Sequence, residues 1–99
     1  MKEYNHEIKF TGNQILVFST SWCPDCIMLN MYIDQVIDEN KDWEFIYIDS
    51  DQYPALASEY GILGIPSFVG LRDGEQVDSL ISKQAKPKEL INEWIRGIK

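Results

Sequence analysis

The apolar positions fall into blocks of different period, and the periods separate strands from helices. Ile15-Leu16-Val17-Phe18 followed by Ser19-Thr20 is a short continuous apolar run, which predicts a buried strand over 15–20. Beyond Cys26 the period changes. Leu29, Tyr32, Ile33, Val36 and Ile37 recur three and four positions apart, with Asp34, Asp38, Glu39 and Lys41 off that stripe. This spacing predicts one helix running to about residue 40 with a single buried face. Trp43 to Ile48 is rich in aromatic and β-branched residues and predicts a second strand. Asp51-Gln52-Tyr53-Pro54 punctuates the chain and opens a short helix through Tyr60, and Gly61 suits the left-handed position that ends many helices. Ile65-Pro66 leads into a strand from Ser67 to Leu71. Asp73-Gly74 signals a hairpin into a strand from Glu75 to Ile81. A last helix starts near Pro87, which a first helical turn accepts, with Leu90, Ile91, Trp94, Ile95 and Ile98 as its apolar face.

The order is β-α-β-α-β-β-α, after an N-terminal stretch with no firm assignment. Parallel crossovers followed by an antiparallel hairpin predict an α/β fold: a mixed central sheet flanked by helices on both faces. In open α/β sheets, sites form beyond the carboxyl ends of strands. Trp22-Cys23-Pro24-Asp25-Cys26 lies just past the first confident strand, where a site is expected.

Composition narrows the class. A chain of 99 residues with 44% hydrophobic content suits one globular domain, 1–99, and is too short for two cores. The net charge of −7 repels phosphate backbones and anionic lipid, so nucleic-acid and membrane partners are not expected. No segment reaches the ~20 apolar residues of a membrane helix, and Met1 to Glu7 carries no apolar run of signal-peptide length. The chain therefore reads as cytoplasmic and monomeric. Its two cysteines, three positions apart, suit a catalytic pair in a reducing compartment better than a secreted disulfide scaffold.

The pair has a physical rationale. Cys23 falls near the N-cap of the predicted helix, where unsatisfied N–H groups and the helix dipole favour a thiolate. Cys26 lies one turn on, close enough for an intramolecular disulfide. Pro24 takes the first helical position. Asp25 suits the dipole but opposes a thiolate beside it, so dipole and carboxylate pull Cys23 in opposite directions. The chemistry expected is two thiol exchanges: Cys23 attacks a substrate disulfide, then Cys26 attacks Cys23 and frees the reduced substrate. No metal or other cofactor is expected beyond the redox-active Cys23–Cys26 disulfide, but an external electron donor, a reductase or a small thiol, must restore the dithiol. Other uses of the pair remain open: half of a zinc site, for which the only histidine, His6, is distant in sequence; a structural disulfide, of little value across so short a loop; or two inert buried thiols.

From about residue 14 onward the chain resembles the thioredoxin superfamily. One motif is Trp22-Cys23-Pro24-Asp25-Cys26; the other runs from Ile48-Asp49 to Tyr60-Gly61-Ile62-Leu63-Gly64-Ile65-Pro66-Ser67. The resemblance implies a thioredoxin-like fold with a shortened N-terminal region, since Met1 to Asn13 shows no clear match. It implies catalysis by Cys23 and Cys26, and a cis Ile65–Pro66 bond that leaves the Ile65 backbone free to pair with a substrate strand. Trp22, Pro24, Asp25, Ile65 and Pro66 then make up the substrate surface, and protein disulfides are the expected substrates. Departures stand beside the match. The family's buried acid, six positions before the first cysteine, is Val17 here, and the lysine on the next strand is Phe45. In the family that acid handles the resolving cysteine's proton; Asp25 is the candidate to replace it. Two other readings are carried along: a glutaredoxin-like reductase of glutathione mixed disulfides, disfavoured because basic residues near the site are scarce, and a binding module whose redox chemistry is incidental.

Overall fold

The computed structural model describes residues 1–81 and 86–98. The described residues form β1 (Lys2–Glu3), β2 (Asn13–Ser19), α1 (Pro24–Asn30), α2 (Ile33–Glu39), β3 (Glu44–Asp49), α3 (Pro54–Glu59), β4 (Ser67–Arg72), β5 (Glu75–Leu80) and α4 (Lys88–Arg96). The strands make one mixed sheet in the order β1-β3-β2-β4-β5. β2 pairs parallel with β3 and antiparallel with β4, so it lies at the centre, and β4–β5 is the predicted hairpin. Asp73 (φ 52°) and Gly74 (φ 84°) both adopt positive φ at its turn, the requirement that makes Asp-Gly a hairpin signal.

Because a strand's side chains alternate between faces, the continuous apolar run of β2 supplies two cores at once. Ile15 and Val17 join Phe45 and Phe68 against Leu29, Ile33 and Val36 of the first two helices and Ile91 and Ile95 of α4. Leu16 and Phe18 join Ile46, Ile48, Val69 and Leu71 on the opposite face, covered by Tyr53, Leu56, Ala57, Tyr60 and Ile62 in and around α3. The result is the expected helix–sheet–helix sandwich. α3 ends in a paired cap, with Gly61 N–H bonding Ser58 O and Ile62 N–H bonding Ala57 O, and Gly61 at φ 66°.

Three features differ from the sequence expectation. The N-terminal stretch takes part in the fold: β1 pairs parallel with β3, and Tyr4, Ile8 and Phe10 pack on the α3-side core. The single helix expected to residue 40 is two. Around Met31 and Tyr32 the bonds tighten to three-residue spacing (Met31 N–H to Met28 O, Tyr32 N–H to Leu29 O), and Tyr32 leaves helical geometry at φ −137°. Its phenol donates a hydrogen bond to Lys86 O, tying the break to the segment that enters α4. The buried stripe survives the break, since Leu29, Ile33 and Val36 still share one core. On α4, Leu90 is exposed, whereas Asn92 is buried. Asn92 accepts from Asn40 Nδ2 and donates to Glu39 Oε2, which satisfies its amide between α2 and α4.

Candidate active site

The predicted site residues converge beyond the carboxyl end of β2. β2 ends at Ser19, and the chain passes through Thr20 and Ser21 to Trp22. Cys23 is the N-cap of α1, with extended backbone (φ −73°, ψ 128°), and its carbonyl accepts from Ile27 N–H at 2.9 Å. Pro24 occupies the first helical position, where its missing N–H costs nothing. Both cysteines are thiols. Cys23 is partly exposed, whereas Cys26 is fully buried behind it.

Burial pushes the Cys26 thiol up from its ordinary range. The Ser19 hydroxyl and the Thr20 backbone oppose that shift by hydrogen bonding to the sulfur, while contact with Cys23 reinforces it. The groups acting on Cys26 are thus the end of β2 and its partner thiol. Asp25 is half-buried in the first turn of α1, and its charge falls on Lys86 and Tyr32 instead.

The segment facing the thiols is the loop before β4. The Ile65–Pro66 peptide is cis. The Cys23 thiol points at Ile65 O, 3.9 Å away, so the second motif is brought onto the first. Pro66 is buried and Ile65 half-buried. Trp22 is 63% exposed, yet its indole is fixed: Nε1 donates to Asp51 Oδ2 at 2.6 Å. Asp51 is in turn placed by Asp49, whose Oδ1 accepts from the backbone N–H of Asp51 and Gln52 at the end of β3. Leu63 is also exposed on this loop.

Two residues escaped the sequence reading. Asp51 read as turn punctuation, with nothing to mark it as the acceptor for Trp22. Lys86 was given no role from sequence, and basic residues near the site were expected to be scarce. The structure buries Lys86, whose ammonium is pushed down from its ordinary range by desolvation while Asp25, Cys26 and Cys23 favour its charge. Val17 and Phe45, where the resemblance leads one to expect an acid and a lysine, are both buried in the apolar core beneath the first two helices. Among the described residues there is no group of three or more His, Cys, Asp or Glu that could hold a metal ion.

The family description "Thioredoxin" matches residues 1–97. The chain belongs to the thioredoxin family. The chain is 34% identical over 86 residues to Thioredoxin H2 of Arabidopsis thaliana, a match covering 86% of this chain and 63% of that protein. It is 34% identical over 92 residues to a thioredoxin of Chlorobaculum thiosulfatiphilum, covering 91% of this chain and 83% of that one. Its fold superposes on oxidised mitochondrial thioredoxin 3 of Saccharomyces cerevisiae with a TM-score of 0.76 at 24% identity, covering 89% and 80% of the two chains. The family match begins at residue 1, so the N-terminal stretch belongs to the thioredoxin domain, consistent with the pairing of β1. No helix of the described residues is long and apolar enough to cross a membrane.

Proposed function

We propose that this thiol–disulfide oxidoreductase reduces protein disulfides, with Cys23 as the attacking thiol and Cys26 as the resolving one. The observation that carries the reading is the unequal access of two neighbouring sulfurs: Cys23 opens to solvent beside Ile65 O, and Cys26 is sealed behind it. A sulfur at the surface can reach a substrate disulfide. A buried one can reach only its neighbour.

In the first step the Cys23 thiolate attacks one substrate sulfur, forming a mixed disulfide and releasing the other sulfur as a thiol. Cys26 then loses its proton and attacks Cys23 Sγ, closing the Cys23–Cys26 disulfide and freeing the reduced substrate. The substrate lies across Trp22, Pro24 and the Ile65–Pro66 edge. There an extended segment pairs with the Ile65 backbone while Trp22, held by Asp51, supports its side chains. Asp25 borders this surface from α1. The dithiol itself carries the electrons, and a reductase or small thiol in the cytoplasm restores it. The protein acts as a monomer, and its acidic surface favours basic or neutral substrates over nucleic acid or anionic membrane.

Insulin-disulfide reduction with dithiothreitol as donor tests this reading. The protein is expected to accelerate insulin precipitation, and Cys23→Ser to return the rate to that of dithiothreitol alone. Equal rates for the two proteins would refute it. Regeneration by reduced glutathione together with full activity of Cys26→Ser would instead indicate the glutaredoxin-like alternative.

A further inference from the structure

An ammonium group leaves water at a cost of several kcal/mol unless opposite charge faces it, so lysine rarely sits inside a fold. Lys86 is 1% exposed, the one charged side chain among the buried described residues. It directly precedes Pro87, the N-cap of α4. Its carbonyl accepts the Tyr32 phenol at the α1–α2 junction, which fastens residue 86 to the helix pair that carries Cys26. Its ammonium is within Coulombic reach of Asp25, Cys26 and Cys23.

We propose that Lys86 is a positioning residue of the dithiol, its buried ammonium offsetting the negative charge that develops on Cys26 during resolution. This rests on the exchange reading above. In that step Cys26 gives its proton to water and its thiolate attacks Cys23 Sγ. The bond from Cys23 to the substrate sulfur breaks as the Cys23–Cys26 bond forms, and the departing thiolate takes a proton from water. The substrate gains the electron pair that the dithiol loses. Lys86 exchanges no electron; it lowers the energy of the thiolate that must form where burial disfavours one. The groups facing this arrangement are Asp25 from α1, the two thiols, the Tyr32 phenol, Ser19 and Thr20 at the end of β2, and Tyr47 of β3, which senses charge on Cys26.

The test titrates Cys26 alone, in a Cys23→Ser background, by ultraviolet thiolate absorbance against pH. Lys86→Met is expected to raise the midpoint by about one pH unit, a tenfold loss of thiolate below it, and Lys86→Arg to keep the original profile. In the two-cysteine protein, Lys86→Gln is expected to slow closure of the Cys23–Cys26 disulfide from a glutathione mixed disulfide at Cys23 about tenfold below the Cys26 midpoint, in proportion to the lost thiolate. This measurement decides the matter should the methionine variant not fold. An unchanged midpoint in folded Lys86→Met, an unchanged rate of disulfide closure in Lys86→Gln, or a Lys86→Arg profile as displaced as that of methionine would overturn the proposal. The titration needs no disulfide substrate. Its failure would leave the exchange reading standing, and a failed insulin assay would leave the titration intact.

Discussion

A Cys26→Ser variant is expected to accumulate as a covalent adduct with its disulfide substrates. Serine fills nearly the same volume as cysteine at a fully buried position and can keep a hydrogen bond to Ser19, so the fold should persist. Its hydroxyl does not ionise in the working pH range and cannot attack a disulfide, so the reaction halts after the first exchange. Turnover without added thiol should drop by at least ~10³-fold, the scale on which loss of an essential nucleophile acts. Non-reducing electrophoresis should show one substrate per protein, joined through Cys23 and released by dithiothreitol. The Cys23→Ser protein should form no adduct, because Cys26 has no path to a bulky substrate. Identification of the trapped proteins would also name the physiological substrates.

The second large effect concerns the core beneath the site. Val17→Asp would place a carboxyl in an apolar cluster of Phe45, Leu29, Ile33 and Ile91. Without a partner for its charge, the substitution should cost on the order of 3–5 kcal/mol at neutral pH, a large share of a domain's ~5–15 kcal/mol. The cost should depend on pH. The buried carboxyl would have a folded pKa above its unfolded value of about 3.9. Below the unfolded value both states are protonated and the penalty is smallest. It grows as pH rises from there to the folded pKa, where it levels off. Urea denaturation at acidic and neutral pH checks this, and a midpoint loss of equal size at both would contradict it.

Much of this arrangement was legible from residue pattern. A continuous apolar run and β-branched content placed the central strands, and a spacing of three to four placed the helix faces, because burial in a sheet or on one side of a helix imposes those patterns directly. Gly61 and Asp73-Gly74 were readable because each stands where the backbone adopts positive φ. What escaped lacked a local signal. β1 is two polar residues, held by backbone pairing to β3 and not by a buried side chain. The break between the first two helices contains neither proline nor glycine; it goes with a phenol reaching a carbonyl far along the chain. Leu90 fits the apolar spacing of α4 but lies outside its packed face. Lys86 and Asp51 matter through partners that only the fold brings near.

The attacking role of Cys23 is the claim on which the rest depends, and differential alkylation of the reduced protein tests it most directly. Iodoacetamide at neutral pH, quenched at short times and followed by peptide mass spectrometry, reports which sulfur reacts first. Cys26 is buried and its thiol is pushed up, so both access and thiolate fraction are against it. Labelling at Cys23 is expected to run at least ~10-fold faster than at Cys26. Equal rates, or Cys26 labelled first, would contradict the assignment.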